Sequence, residues 1–349
     1  MSDKEINNSL IKRVTSHSLF SPVAALVLLL IISTIVNPTF LRVTWIDGHF
    51  SGNLVDVLNR AAPLILVSIG MMLVIAARGL DISVGATVAI TGAVAALIAG
   101  GSYGNAHTGL ATLFIAIAGA LVTAALCGLW NGLLVVKTGM QPIIATLILM
   151  VAGRGIAQLI TDGQIITIYY APYFYIGNGF LFGLPFALVI ALLTAIGLYL
   201  LVTKTALGLF IRAIGLNPVA AHVAGVRSQT ITMCLYVFCG FTAGLAGLII
   251  SSNVKSADGN NAGQLMELDA ILAVTLGGTA LTGGRFTVVG TVIGALIIQT
   301  LTSMIYSSGL PPQVNLAVKA LLVFAVMLLQ SNEFRSTMRG LVFKQGSAT

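Results

Sequence analysis

Apolar residues run in long blocks along this chain, and the breaks between blocks carry charge, Gly/Pro pairs or polar clusters. Blocks of this length suit helices that cross a bilayer, each needing about 20 apolar residues to cover the hydrocarbon core. Ten such elements are predicted, over residues 19–36, 61–77, 82–100, 109–136, 140–160, 180–203, 230–252, 268–282, 287–308 and 314–330. The block at 109–136 is longer than a crossing needs and implies tilt. The block at 268–282 is short and broken by Gly277-Gly278. The fold class expected is therefore all-α, a polytopic membrane protein of about ten transmembrane elements.

Basic residues orient these elements. With both ends inside, cytoplasmic segments hold twelve lysines and arginines, from Lys4 to Lys344, and the outside loops hold only Arg42, Arg60 and Lys255. That positive-inside bias requires an even number of spans, which ten satisfies. The expected organisation is a cytoplasmic segment 1–18, a transmembrane domain 19–330 with a cytoplasmic loop at 204–229, and a cytoplasmic tail 331–349. The amino-terminal stretch is polar and basic. The first apolar block ends at Asn37-Pro38 rather than at a small-residue cleavage site, so it reads as an uncleaved span.

Composition excludes most alternatives. The chain is 57% apolar and only 8% charged, far below the quarter of charged residues in a soluble domain. The net charge of +7 is too scattered for nucleic acid to be a partner; membrane lipid is the medium instead. Cys127, Cys234 and Cys239 lie in apolar blocks and read as packing residues, and His17, His49, His107 and His222 are too dispersed for a metal or catalytic set. No G-x-x-x-x-G-K-[ST] loop occurs, because Lys137-Thr138 and Lys204-Thr205 lack the preceding glycines. Any ATP used by this protein is bound on another polypeptide, and no catalytic residue or cofactor is assigned to this one.

Three segments carry candidate chemistry. In the loop 204–229, Asn217 suits a helix N-cap, Pro218 the first helical position, and Gly225 a left-handed terminator. The faces of this short helix are mostly Ala, and it lacks the aromatic anchors of a helix lying on a membrane, so docking to another protein is the better reading. At 79–85, Gly79, Asp81, Ser83 and Gly85 mark a turn between two spans. Capping by Asp81 or Ser83 competes there with a pathway carboxylate, and capping is preferred because a span end leaves the charge near water. At 267–285, Glu267 and Asp269 lead a short apolar stretch that ends in Gly277-Gly278, Gly283-Gly284 and Arg285. Such broken segments often line a cavity, and acidic residues also suit the start of a helix.

Charged or polar groups inside apolar blocks are pathway candidates: Arg154 above all, with Lys319 able to snorkel, and Asn131, Gln141, Gln158 and Gln299. The amides equally suit helix–helix hydrogen bonding. Lys255, Asp258, Glu267 and Asp269 are expected at the external mouth, where a soluble partner meets the protein. The pairs Gly128/Gly132, Gly240/Gly244 and Gly290/Gly294 predict close helix packing.

In this order, these segments resemble the permease subunits of sugar ATP-binding-cassette importers of the ribose/xylose/galactose type. The resemblance covers about 53–330. It rests on 79–85, similar to G-[IL]-D-[IL]-S-V-G, on 205–225 with Ala213, Gly215, Asn217, Ala220, Ala221 and Gly225, and on 267–284, similar to L-D-A-I-x-A-x-x-x-G-G-x-x-L-x-G-G. The stretches QPIIATLILMVAGRGIAQLI and ADGNNAGQLMELDAILA are most similar to the galactofuranose branch of that family. One departure is Arg78, where many relatives have a small or uncharged residue.

The resemblance implies a second permease subunit, a nucleotide-binding ATPase that carries ATP and Mg, a periplasmic sugar-binding protein, and a bacterial inner membrane. It implies that Arg212, Ala213, Gly215, Asn217, Pro218, Ala220, Ala221 and Gly225 couple to the ATPase. An ion-driven secondary transporter would need paired, membrane-buried carboxylates, and an intramembrane enzyme a catalytic set at one depth. Neither is apparent in the sequence.

Overall fold

The structure is a computed structural model, and it describes residues 19–46, 48–100, 109–309 and 311–330. The two predicted cytoplasmic end segments, 1–18 and 331–349, lie outside the described residues, as do His17 and His107. The described chain is mostly helical. Each of the ten predicted blocks forms a helix: α1 (Phe20–Val36), α2 (Asn53–Ala76), α3 (Val84–Ile98), α4 (Leu110–Val136), α5 (Pro142–Ile160), α7 (Phe186–Lys204), α10 (Ser228–Val254), α11 (Met266–Leu276), α12 (Val288–Ser307) and α13 (Pro312–Gln330). The described residues also form a 3-10 turn (Ala171–Phe174), the one-turn helix α6 (Tyr175–Asn178), and α8 (Leu207–Leu216) and α9 (Pro218–Val223) in the central loop.

Six of these, α2, α4, α5, α7, α10 and α12, are long and apolar enough to cross a membrane. The short helix α11 has 11 residues, roughly 16 Å at about 1.5 Å each, half of what a crossing requires.

The described residues up to Thr300 make one compact unit, and those from Leu301 onward make a second. At the centre of the first stands α10, packed against α4, α2 and α3. Nearly all of α2 is buried, whereas α4, α5 and α7 turn most of their Leu, Ile and Val outward. A membrane protein sorts its helices this way because lipid is as apolar as the interior, so close backbone fit rather than hydrophobicity selects the core. Glycine provides that fit: a side chain on Gly128 or Gly240 would strike the backbone of the facing helix, α10 or α4, one on Gly294 would strike α11, and one on Gly290 would strike Gly277 just after α11. The predicted small-residue pairs therefore lie at helix crossings.

Short antiparallel pairs close the loops. Strands β1 (Thr44–Ile46) and β2 (His49–Ser51) form a hairpin, as do β4 (Phe180–Leu181) and β5 (Leu184–Pro185). Strand β3 (Ile165–Thr167), just after α5, pairs with β6 (Ser256–Asp258), just after α10, with Ile166 opposite Ala257. Helix α10 thus runs from α9 at one end to β6 at the other, 27 residues or roughly 40 Å.

Candidate functional site

Three sites, spaced along α10, carry the polar chemistry. The first is the loop helix α9. The Asn217 side chain accepts from the N–H groups of Val219 (3.1 Å) and Ala220 (3.0 Å), Pro218 opens the helix, and Gly225 follows it at φ 86°. Each residue does locally what its chemistry predicts. The outward face is different from the one expected. Ala221 is turned inward (5% exposed), whereas Val219 and Val223, one helical turn apart, are 71% and 83% exposed. The large apolar side chains that α9 exposes are therefore the two valines, which sequence reading passed over in favour of the small alanines; of those, Ala220 is exposed and Ala221 is not. Beside them Leu207, Phe210, Gly225, Arg227 and Ile231 border a groove of about 560 Å³. Arg212 stacks over the ring of Phe286 at 5.4 Å, and Gly215 packs against Gly284.

The second site is the break between α2 and α3. Asp81 is 1% exposed, not near water at a span end as expected. Its Oδ1 accepts from Ser83 N (3.0 Å), Ser83 Oγ (2.6 Å) and Asn131 Nδ2 (3.1 Å), and Asn131 also reaches Ser83 Oγ at 2.8 Å. Thr146 of α5 receives the Ile82 N–H at 3.3 Å, and the Tyr236 hydroxyl of α10 donates to Leu80 O at 3.4 Å. Asn131 lies five residues before the end of α4 and Tyr236 eight after the start of α10. The break therefore sits roughly 7–12 Å inside those helix ends. Non-helical backbone at that depth has no water to bond, and these side chains supply the missing partners. Neither Asp81 nor Ser83 caps α3, whose N-cap Ser83 has no side-chain cap bond; Asp81 instead makes a turn onto Ser83 within the break. Its burial arises because four elements converge on the break.

The third site is the segment 256–265, between α10 and α11. Gly259 abuts the α5 backbone at Ala157, and Gly263 abuts Gly85 and Val88 of α3, so the segment folds back between two helices. Arg154 Nη1 donates to Asn260 O (3.4 Å) and to Ala262 O, and Gln158 Nε2 donates to Asn260 Oδ1 (2.6 Å). Arg154 lies six residues before the end of α5, about 9 Å in, and Glu267 and Asp258 balance its charge.

Asp258 accepts from Asn260 N (2.8 Å), Asn261 N (3.2 Å) and, through Oδ2, from Asn261 Nδ2 (2.7 Å). Burial pushes the Asp258 carboxyl up, but these bonds and the Arg154 charge outweigh it and hold the group below its ordinary value. Glu267 is 4% exposed beneath Gly85. Glu267, expected at an external mouth facing a soluble partner, is instead buried, whereas Asp258 is half-buried with its oxygens accepting from Asn260 and Asn261. Asp269 is half-buried on α11. Lys255, at φ 58°, is exposed, with Nζ 5.0 Å from the Phe174 ring centroid.

Of the predicted pathway residues, Arg154 and Gln158 come together with Asn260, while Asn131 belongs to the Asp81 cluster. Gln141 stands at the N-cap position of α5 without a side-chain cap bond, and Gln299 is half-buried on α12. Of the structural glycines, Gly79 packs against Tyr236 and Val74, Gly277 against Gly290, and Gly278, Gly283 and Gly284 take left-handed turns.

Residues 53–329 match the family described as branched-chain amino acid transport system / permease component. The chain belongs to that family. Among curated members it is 48% identical over 316 residues to the galactofuranose transporter permease protein YtfT of Escherichia coli (strain K12), covering 90% of each chain. It is 35% identical to the fructose import permease protein FruF of Bifidobacterium longum, over 94% of this chain and 92% of that one. It is 34% identical to the ribose import permease protein RbsC of E. coli (strain K12), over 90% of this chain and 93% of that one. No solved structure matches. The permease is thus a multi-pass membrane protein whose curated relatives are sugar transport subunits, and all three sites lie inside the matched residues.

Proposed function

We propose that this permease is the membrane subunit of an ATP-driven galactofuranose importer. The observation that carries the reading is α9: a capped helix presenting Val219 and Val223 outward at the end of the core helix α10, in a family of transport permeases. Two exposed valines on a polar loop favour burial by another protein. The matching partner is a nucleotide-binding ATPase that holds ATP and Mg, with Arg212, Ala213, Gly215, Asn217, Pro218, Ala220, Ala221 and Gly225 building the platform behind the valines. The similarity to the E. coli galactofuranose permease supports galactofuranose ahead of ribose or fructose.

In this reading the chain makes about ten membrane elements, with both ends in the cytoplasm of a bacterial cell and α9 on the inner-membrane face nearest the ATPase. The domain plan is the 1–18, 19–330 and 331–349 division, with 204–229 as the coupling loop. A second permease subunit faces the Arg154–Gln158–Asn260 site. Exposed amides beside a cation, on a helix that elsewhere shows Leu and Ile, suit a wall for polyhydroxylated solute rather than lipid. A periplasmic sugar-binding protein meets the opposite end, near Lys255. ATP-driven closure of the ATPase pair displaces α9, and the core helices rock around the two breaks.

Proteoliposomes test this. The chain, its ATPase and its binding protein together are expected to accumulate labelled galactofuranose only when ATP is supplied on the ATPase side. A specific observation favours one rival: Asp81 is a buried carboxylate, as an ion-driven carrier requires. Uptake driven by a proton or sodium gradient without ATP, and abolished in Asp81→Asn, would establish that rival instead.

A further inference from the structure

Arg78 occupies the first residue of the α2–α3 break, at a left-handed φ of 65° that few non-glycine residues adopt. Its exposed side chain is nonetheless fixed. Nε donates to Gly215 O at 2.7 Å and Nη2 to Leu216 O at 2.6 Å. These are the last two residues of α8, and the next residue, Asn217, is the cap of α9. Two further contacts close the same junction. Gly284 N–H donates to Ala76 O at 2.9 Å, and a side chain on Gly215 would collide with Ala76 O and Gly284 N. On the other side, Asp81 follows three residues after Arg78.

A planar guanidinium that donates to two successive carbonyls fixes direction as well as distance, which a single ammonium cannot do. The carbonyls it meets are the negative end of a helix, so charge and geometry agree. The two segments are 137 residues apart in sequence, and Arg78 is the side chain that joins them.

We propose that Arg78 is a positioning residue for transport: it latches the α8–α9 unit to the α2–α3 break, so that a displacement of α9 moves the Asp81 cluster rather than being absorbed by the loop. The inference rests on α9 being the ATPase contact. Without the latch, α9 still docks and ATP is still hydrolysed, but the stroke no longer reaches the core.

The test is the number of galactofuranose molecules accumulated per ATP hydrolysed, in proteoliposomes containing the ATPase and binding protein. Wild type is compared with Arg78→Lys, Arg78→Gln and Arg78→Ala. The expected result is that all copurify with the ATPase and hydrolyse ATP, while sugar moved per ATP falls about ten-fold in Arg78→Ala and Arg78→Gln. In Arg78→Lys, which keeps charge and reach but not the fork, it falls only about three-fold. Arg78→Lys gives the ratio even where the shorter variants fail to insert. A ratio equal to wild type in Arg78→Lys and in each other variant that inserts overturns the latch, whether or not the rates themselves fall. If the ATPase fails to copurify with wild type, the α9 reading fails and the latch falls with it. If it copurifies and the ratio holds, the latch alone fails.

Discussion

Arg78 and Arg154 use the same bonds for different ends. Each guanidinium donates to a pair of backbone carbonyls in a distant loop: Gly215 and Leu216 for the first, Asn260 and Ala262 for the second. Arg154 is half-buried within a span, and Glu267 and Asp258 offset its charge. Arg78 is exposed, at the end of α8. Removing Arg154 leaves the buried Glu267 carboxylate without its nearest cation and unpairs two carbonyls that hold the folded-back segment, so the local fold depends on Arg154. At the surface, water replaces lost bonds at little cost, and what disappears with Arg78 is the mechanical connection. One arginine holds a shape and the other holds two parts together.

The largest effect expected from breaking this contrast is at Arg154. Arg154→Leu should destabilise the protein by about 2 kcal/mol, less than the loss of a fully buried pair because Arg154 is only half-buried. The loss would be read as a lower melting midpoint in detergent and reduced membrane yield. Arg78→Ala should move the midpoint by less than about 1 kcal/mol. Equal destabilisation by both would erase the distinction.

Next in size is Val219→Glu with Val223→Glu. Charging the exposed face of α9 should leave the melting midpoint unchanged within about 0.5 kcal/mol, as surface substitutions do. It should weaken ATPase copurification at least ten-fold, as loss of a central apolar contact does. Gly215→Ala pushes a methyl group into Ala76 O and Gly284 N. Overpacking of this kind costs about 1–3 kcal/mol. Thermal unfolding measures that cost, and because the clash spreads α8 from α2 the variant should mimic Arg78→Ala in sugar moved per ATP. The smallest effect is at Lys255. Lys255→Ala removes an exposed contact with Phe174 worth about 0.5 kcal/mol, and a melting shift much above that would contradict the cation–π reading.

How much of this was legible in the sequence divides along the same line. The helices were, because each apolar block is long and bounded by residues with one local meaning. Asn217, Pro218 and Gly225 act on their own neighbours, so α9 was predicted down to its cap. The contacts that join distant segments were not. Asp81 read as a capping residue near water, and its burial is decided by Asn131, Thr146 and Tyr236 on three other helices. Glu267 read as a surface acid because nothing local shows that 256–265 folds back against Gly85 and Ala157 and covers it. Ala221 was favoured over Val223 because its small size suggested close approach, whereas facing is set by how α9 lies on α8. Arg78 stood out only as a departure from a pattern, and its partners lie beyond any local signal.

The central claim is that α9 is the point at which an ATPase drives this permease. Photocrosslinking from a benzoylphenylalanine at position 223 tests it most directly, with position 159, an exposed leucine on α5, as the lipid-facing control. The account predicts that position 223 crosslinks to the ATPase subunit and position 159 does not. Crosslinks from position 223 to lipid alone, with the ATPase present and active, would contradict it.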